Sequence, residues 1–174
     1  LAQYKMALEK RPTAQVYTLL GILENSRGNT TEAEQAYRKA LELAPETPIA
    51  ANNLAWLIAD NQGNLDEALQ LATMVVSKNQ SVPGYYDTLG WIYLQKGLTS
   101  PAVEQLRKAV AIEEANARKS GSDPDPGYRV RLGMALAKAG DKTSARREVE
   151  TSLRSINVLT QREVKEAKEV LASL

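Results

Sequence analysis

Apolar residues recur every three or four positions along most of the chain, with charged and polar residues between them. Leu20 with Leu23, and Ala33 with Tyr37 and Ala40, illustrate this spacing. It is typical of amphipathic α-helices that bury one face. The pattern predicts ten helices joined by short turns, at about residues 1–10, 14–26, 31–43, 48–60, 65–78, 83–96, 101–118, 126–139, 142–154 and 161–173.

Glycines and capping residues mark the ends of these helices. A glycine follows the first helix of each pair, where a left-handed residue commonly ends a helix; these are Gly28, Gly63, Gly97 and Gly140. Side-chain oxygens stand where helix starts need acceptors. The signals of this kind are Thr31 with Glu34, Thr160 with Glu163, Ser100 before Pro101, and Asp125 before Pro126.

One frame of residues recurs four times at close to a 34-residue period. Its clearest copy is Tyr86-x-x-Leu89-Gly90-Trp91-x-Tyr93, followed by Ala102 and Leu106. The other copies are Tyr17-x-x-Leu20-Gly21 with Ala33 and Tyr37, Ala51-x-x-Leu54-Ala55 with Ala68 and Ala72, and Arg129-x-x-Leu132-Gly133 with Ala145 and Val149. A fixed period of this length predicts stacked helical units, which directs attention to a surface rather than to an active site.

These frames resemble the tetratricopeptide repeat (TPR) family, whose signature is W-x2-L-G-x2-Y, then A-x3-F, then a proline. The copies at Tyr17 and Tyr86 match well, whereas Ala55 replaces the glycine in the second and Arg129 the aromatic residue in the fourth. The chain has no Phe, so other residues fill the A-x3-F site. The resemblance implies an all-α fold, a right-handed TPR-type α-solenoid of antiparallel helix pairs with a C-terminal capping helix.

We interpret residues 1–174 as one solenoid domain. Its expected parts are the second helix of a truncated repeat at 1–12, repeats at 14–47, 48–82, 83–125 and 126–159, and the capping helix at 160–174. The third repeat carries about nine extra residues in an insertion near 111–125, with extra helical turns at 111–119 and a loop at 120–126. The insertion is either a tolerated loop extension or a lip that contacts a partner.

The capping helix has an apolar stripe and a charged face. The stripe consists of Val164, Ala167, Val170, Leu171 and Leu174. The opposite face is expected to hold Glu163, Lys165, Glu166, Lys168 and Glu169. Since the end of a solenoid needs a helix with a polar outer side, we expect a cap here. A partner-binding amphipathic helix is the alternative.

The first residues also fit the repeat frame. Tyr4, Ala7 and Pro12 align with Tyr37, Ala40 and Pro45. We therefore expect that the chain begins inside a repeat of a longer protein, so that a targeting segment would lie upstream. A dimer formed through this truncated edge, at Tyr4 and Leu8, is one possible form of self-association.

Composition excludes several classes of function. The 22 basic and 21 acidic residues give a net charge of +1, which argues against a nucleic-acid partner or a polybasic membrane surface. No apolar run has the roughly 18 residues of a membrane span. The chain contains no Cys and no His, which removes thiol nucleophiles, imidazole acid–base steps and Cys/His zinc sites. Asp123 and Asp125 do not fit the calcium-loop spacing. From these observations together, we predict no metal, no cofactor and no enzymatic activity.

The resemblance also implies a partner-binding groove. In TPR proteins, the second, fifth, ninth and twelfth positions of each repeat face a concave groove. The candidate partner-binding residues carried over in this way are Gln15, Thr18, Ile22, Asn25, Asn52, Trp56, Asp87, Trp91, Leu94, Val130 and Met134. Trp56 and Trp91 share the ninth position and are expected to lie near each other along one wall. Both indoles either contact the ligand or pack as core against the next repeat.

The leading functional hypothesis is a non-catalytic scaffold that binds a protein or peptide in the concave groove. The phrases Asn52–Leu57 and Asp87–Tyr93 resemble bacterial TPR proteins, some of which serve exopolysaccharide secretion or sorting at the cell envelope. We therefore prefer the bacterial periplasm or envelope over the cytoplasm as the location of the protein. The alternatives are a carbohydrate-binding module of a polysaccharide export system, since tryptophan faces stack on sugars, and a self-associating structural solenoid. The groove does not reproduce the carboxylate clamp of chaperone-binding TPR domains.

The repeat frame places small alanines where two helices approach closely, and Ala102 is one of them. We expect Ala102→Leu to overpack this contact and to destabilise the fold by about 1–3 kcal/mol. Chemical denaturation measures this change, and an unchanged midpoint would contradict the frame.

Overall fold

The computed structural model describes residues 12–174, which contain nine α-helices and no strand. The helices are α1 (Ala14–Ser26), α2 (Thr30–Leu43), α3 (Pro48–Asp60), α4 (Leu65–Lys78), α5 (Pro83–Gln95), α6 (Thr99–Ser120), α7 (Gly127–Lys138), α8 (Lys142–Leu153) and α9 (Gln161–Ser173). Their bounds lie within two residues of the predicted ones. The predicted helix at 1–10, the half-repeat at 1–12 and the edge residues Tyr4 and Leu8 fall outside the described residues.

The chain divides into two compact units, and the first ends at Lys78. In its described part, α1 packs on α2 and α3 packs on α4 as antiparallel pairs, while α2 and α1 both contact α3. The buried side chains come from the repeat frame and include Ala33, Tyr37, Ala40, Leu54, Ala55, Ala68, Ala72 and Val75. The signature residues therefore form the core of each pair.

An ion-pair network on the second helices reinforces this first unit. The guanidinium of Arg38 on α2 donates to both carboxylate oxygens of Glu67 on α4, at 2.5 and 3.2 Å. It also donates to Glu34 within α2, at 2.8 Å. The Arg38 hydrogen bond lowers the pKa of Glu67 below its usual value. This network joins α2 of one helix pair to α4 of the next.

The second unit spans Asn79–Leu174. Helices α5 and α6 form one pair and α7 and α8 another, α6 packs on α7, and α9 lies against both α7 and α8. The extra helical turns predicted at 111–119 are present, because α6 continues to Ser120 and ends at Gly121 with a φ of 71°. The following loop is tied back to α6, since the backbone N–H of Asp125 donates to Glu113 at 2.9 Å.

The predicted helix start at Thr160 is confirmed, and the start predicted after Asp125 lies one residue later, at Gly127. Thr160 and Glu163 form a reciprocal capping box at the start of α9. The carboxylate of Asp125 accepts the backbone N–H of Gly127, the first residue of α7, at 2.8 Å. At both places, a side-chain oxygen close in sequence accepts a backbone N–H group at the start of the helix.

Two other predicted starts are wrong because the helices begin earlier. Helix α2 starts at Thr30, so Thr31 lies within its first turn, and the Asn29 amide donates to Glu24 at 2.7 Å. Helix α6 starts at Thr99, which places Ser100 inside the helix.

Three of the four predicted glycine stops are confirmed. Gly28, Gly97 and Gly140 have φ of 81°, 74° and 84°. Gly63 was wrongly predicted, because the preceding Gln62 takes the left-handed conformation, with a φ of 55°. The N–H of Gly63 then donates to the carbonyl of Ile58 at 2.8 Å and closes the end of α3.

Glycine within the first helix lets the paired helices approach closely. A Cβ on Gly90 would lie 2.6 Å from Cγ of Leu106 and 3.3 Å from the carbonyl oxygen of Ala102. A Cβ on Gly21 would overlap the ring of Tyr37, and one on Gly133 would overlap Val149. The residues in contact occupy matching places in three different repeats, so the close approach is a property of the repeat itself.

Replacement of Gly90 by alanine tests this constraint. In an uncrowded helix, Gly→Ala stabilises by about 0.5–1 kcal/mol. At Gly90 we expect the opposite, a loss of about 1–3 kcal/mol of unfolding free energy, because Leu106 and the α6 backbone must move.

The matched control is Gly84→Ala, where the nearest atom to the new Cβ is the Tyr128 hydroxyl at 3.6 Å. This is an ordinary contact, so its unfolding free energy should be unchanged or slightly higher. Equal effects at the two positions, measured by denaturant unfolding, would contradict a close approach at Gly90.

Candidate partner-binding surfaces

The predicted groove positions are on the whole more exposed in the first unit than in the second. We define the first-unit patch as the hollow of about 330 Å³ between α1 and the start of α3. It is lined by Ala14, Gln15, Thr18, Leu19, Ile22, Thr47, Pro48 and Ile49. Three of the predicted residues, Gln15, Thr18 and Ile22, thus come together at one place.

The first-unit patch exposes apolar side chains. Leu19, Ile22 and Ile49 have exposed fractions of 42%, 40% and 51%. Thr18 is buried beneath them, and its hydroxyl donates to the carbonyl of Ala14 at 2.7 Å. Gln15 and Asn25, one at each end of α1, are exposed. The patch is therefore an apolar surface with polar groups at its ends.

The remaining predicted residues of this unit lie further along α3. Asn52 and Trp56 are both half-buried. Nδ2 of Asn52 donates to Oδ1 of Asn53 at 3.5 Å, and Nδ2 of Asn53 donates to the Tyr37 hydroxyl at 3.4 Å. Oδ1 of Asn52 is buried and has no hydrogen-bond partner among the described residues.

In the second unit, four of the five predicted groove residues are buried. Asp87, Trp91, Leu94 and Val130 are nearly inaccessible, and Met134 is half-buried. We define the second-unit face as Gly127, Val130, Arg131, Met134 and Ala137 of α7 together with Asp87 and Trp91 of α5. Helix α9 lies on this face.

The first turn of α9 makes polar contacts with α5 and α7. The guanidinium carbon of Arg162 stands 6.0 Å from the centroid of the Trp91 ring, within the range of a cation–π contact. The Glu163 carboxylate lies 3.8 Å from the Arg131 guanidinium. It also lies directly against Gly127, where an added Cβ would overlap it.

The apolar contacts follow one and two turns later. Val130 and Val149 form a buried cluster with Ala167 and Val170 of α9. Met134, Ala137, Leu171 and Leu174 pack around this cluster. The predicted apolar stripe is thus confirmed for four of its five residues, Ala167, Val170, Leu171 and Leu174, which contact the preceding helix pair.

The predicted charged face of α9 is wrong for two residues. The side chains of Glu163 and Glu166 are each only 16% exposed. Both carboxylates support the charge of Arg131, whose side chain lies under the helix. The helix is rotated so that acidic groups as well as apolar ones face the second-unit face.

A buried ion pair lies at the centre of this face. Nε of Arg131 donates to Oδ1 of Asp87 at 2.6 Å, and both side chains are largely buried. Burial raises the pKa of Asp87 above its usual value, and the Arg131 guanidinium offsets part of the rise. Burial lowers the pKa of Arg131, but the carboxylates of Asp87 and Glu163 raise this pKa by more, so it lies above its usual value. Burial also raises the pKa of the neighbouring Tyr128 to about 12.

Arg129, the residue that departs from the aromatic signature, is matched by two acidic partners. Its guanidinium donates to Glu114 of the long helix α6 and to the buried Glu148 of α8. These side chains line a hollow of about 290 Å³ together with Arg107, Val110, Ala111 and Leu132. The insertion therefore supplies a charge that the altered repeat needs.

Leu19, Arg131 and Arg162 were not predicted as site residues. Leu19 and Arg131 each follow a predicted groove residue by one position, outside the four groove positions of the repeat. Arg162 lies in the capping helix, which has no such positions. Only the charge of Arg131 beside apolar Val130 indicates, in the sequence, an acidic counterpart on another helix.

Among residues 12–174, no helix has the length and apolar character needed to cross a membrane. Within the same range, no three acidic side chains converge as a metal-binding group would require.

Comparison with known proteins agrees with the repeat frame. Two models of the tetratricopeptide repeat match, one at residues 1–48 and 18–84 and the other at residues 83–116. The chain is 47% identical over 60 residues to the probable biofilm formation methyltransferase WspC of Pseudomonas putida, an alignment that covers 34% of this chain and 14% of that protein. A second curated relative is matched over 15% of its length, so the chain spans a small part of both.

Solved structures show the same fold at low sequence identity. PilW, a widely conserved type IV pilus biogenesis factor, is similar with a TM-score of 0.79 and 15% identity, over 99% of this chain and 76% of that one. A thermophilic TPR protein of Thermus thermophilus has a TM-score of 0.75 and 19% identity, over 92% and 82% of the two chains. The fold class is thus an all-α TPR solenoid.

The coupling between Asp87 and Arg131 can be measured with a double-mutant cycle. We expect Asp87→Asn and Arg131→Gln to be non-additive by about 1–3 kcal/mol, because either change alone leaves a buried charge without its main partner. Denaturant unfolding of the two single variants and the double variant gives the coupling energy.

The control cycle uses Lys39 and Glu42, which pair at 2.6 Å on the exposed surface of α2. Their coupling should fall below the resolution of the measurement, since water screens exposed pairs. A coupling at Asp87 and Arg131 no larger than this control would show that the buried pair is not a unit.

Proposed function

Because the chain belongs to the tetratricopeptide repeat family, we propose that it is a non-catalytic scaffold that binds a protein or peptide partner. Family membership supports protein interaction in general. The first-unit patch is the surface that we propose for the contact, with Gln15, Thr18, Ile22 and Asn25 among its contributors and Asn52 and Trp56 further along α3.

The exposure of Leu19, Ile22 and Ile49 around one hollow carries this proposal. Apolar side chains gathered on a surface and bordered by polar groups mark protein interaction sites, because burying them in a complex is favourable. We therefore expect the partner to be an extended or helical peptide with apolar anchors, oriented by the polar groups of Gln15 and Asn25.

The proposal of a non-catalytic role rests on the residue types present. Without Cys or His, the chain has neither a thiol nucleophile nor an imidazole for proton transfer. The most deeply buried carboxylate in the described residues, Asp87, is held by Arg131 in an internal ion pair. The methyltransferase named among the relatives is matched over 14% of its length, and no activity is carried over from it.

We further propose that the partner belongs to a bacterial envelope or surface assembly. Support comes from the names of two similar proteins, one a type IV pilus biogenesis factor and the other a biofilm formation methyltransferase. An assembly that secretes exopolysaccharide is one such setting. The periplasm or envelope is the compartment consistent with it.

Substitution within the first-unit patch tests the binding site. The double variant Ile22→Lys/Ile49→Lys places two charges on the hollow without disturbing a buried side chain. Peptides selected from a displayed random library on the wild-type chain should carry apolar anchors and should bind this variant at least about tenfold more weakly. Fluorescence anisotropy of the labelled peptides measures the affinities, and thermal unfolding by circular dichroism confirms that the variant is folded.

Leu43→Lys is the matched control, because Leu43 is equally exposed at 52% and belongs to the same unit but not to the patch. Its peptide affinities should equal those of the wild type. Loss of binding in both variants, or in neither, would move the partner site away from α1 and α3. Saturable binding of a polysaccharide, with no peptide selected, would replace the proposal by the carbohydrate-binding alternative.

A further inference from the structure

We propose that the second-unit face is a binding site for an amphipathic α-helix, and that α9 is the chain's own occupant, which a partner helix of the same chemistry displaces. This inference rests on the proposed function in that it concerns a protein partner. It adds a separate site, the class of segment that fits it, and a means by which the chain regulates its own binding.

Helix α9 occupies the groove positions of the last repeat. Gly127, at the second position, meets the Glu163 carboxylate. Val130, at the fifth, is buried against Ala167 and Val170, and the residues at the ninth and twelfth pack on the same cluster. All four positions that the resemblance assigns to a partner are thus covered by one helix of the chain itself.

The two tryptophans differ in exposure. Trp56 and Trp91 hold the same position in two repeats, and Trp56 is half-buried, whereas Trp91 is only 6% exposed. Arg162 of α9 stands over the Trp91 ring. This cation is the contact that α9 makes with the indole of Trp91.

Several features make α9 separable from the helices beneath it. Seven residues, 154–160, connect it to α8, and Ile156 and Val158 in this connection are exposed. The start of α9 is capped by Thr160 and Glu163, which bond to each other's backbone N–H groups. With a local cap and a seven-residue connection, we expect α9 to leave the face as one unit, which would expose Val130 of α7 and Val149 of α8.

The contacts of α9 define the segment that would replace it. Its first turn offers a cation to the face of Trp91 and, at the next residue, a carboxylate to Arg131. Ala167 and Val170 follow this carboxylate by four and seven residues. Leu171 and Leu174 come after them. A competing helix therefore needs an Arg-Glu or Lys-Glu start and an apolar stripe at this spacing.

Occupation by α9 lowers the apparent affinity for any competing helix. The partner binds only the fraction of molecules in which α9 has left, so its affinity is reduced in proportion to that fraction. A change that loosens α9 without altering the face should therefore strengthen binding of the competing helix. If α9 were instead a permanent part of the core, loosening it would not strengthen binding of the competing helix.

The test uses the full chain with Trp56→Phe, so that Trp91 is the only tryptophan. The probe is a synthetic peptide of residues 160–174, which carries every contact residue of α9. Because a peptide this short is marginally helical in water, its titration extends to millimolar concentration. Trp91 emission and its quenching by acrylamide report on the cover of the indole, and hydrogen exchange of 161–173 reports on opening of α9.

Glu163→Gln in the chain is the loosening variant. Glutamine still serves in the capping box, but it removes the charge that faces Arg131. We expect the peptide to bind this variant about two- to tenfold more tightly than it binds the parent, and Trp91 to be quenched more readily. In the parent, residues 161–173 should exchange faster than residues 127–138.

Glu169→Gln is the matched control, since it makes the same charge change on the exposed side of α9, where the Glu169 side chain is 64% exposed. It should leave both peptide affinity and quenching unchanged.

Two results would overturn the inference. One is that the peptide fails to bind and residues 161–173 exchange as slowly as 127–138 in every variant. The other is equal binding to the parent, Glu163→Gln and Glu169→Gln chains. Neither result bears on the first-unit patch, whose own variants test the proposed function.

Discussion

The structure depends on how closely the first helix of each pair can approach the second. Gly21 meets the ring of Tyr37, Gly90 meets Leu106, and Gly133 meets Val149, each in a space that a Cβ would fill. A pair of helices has little apolar surface, so its core forms only when the two backbones are near enough for side chains to bridge them. The opposite side of each first helix is then left to the neighbouring helix, to a partner or to solvent.

What covers that opposite side differs between the two units. In the first unit it is an open hollow with three exposed aliphatic side chains. In the second unit it carries a buried Asp87–Arg131 pair and lies under α9. Similar repeat sequences thus produce one surface suited to an incoming segment and another already filled from within the chain.

The sequence predicted the helices well because their signals are local. Helical spacing, three left-handed glycines and the Thr160–Glu163 box depend on residues within one turn of each other. The inward rotation of Glu163 and Glu166 could not be predicted in this way, since its cause, Arg131, lies about 30 residues away on another helix. The hollow beside Leu19 depends in turn on how α1 meets α3. The nearness of Trp56 to Trp91, which belong to different units, stays a prediction.

Arg129 shows that the repeats of this chain are not interchangeable modules. A guanidinium stands where the signature has an aromatic ring, and its charge is met by Glu148 in the same repeat and by Glu114 in the insertion of the preceding one. If the fourth repeat were transferred to another solenoid, Arg129 would lose Glu114, the second of its two acidic partners. Deleting the insertion to restore a regular period would have the same effect. The insertion and the arginine therefore form one electrostatic unit, in which removal of either leaves the other with one ion-pair partner fewer.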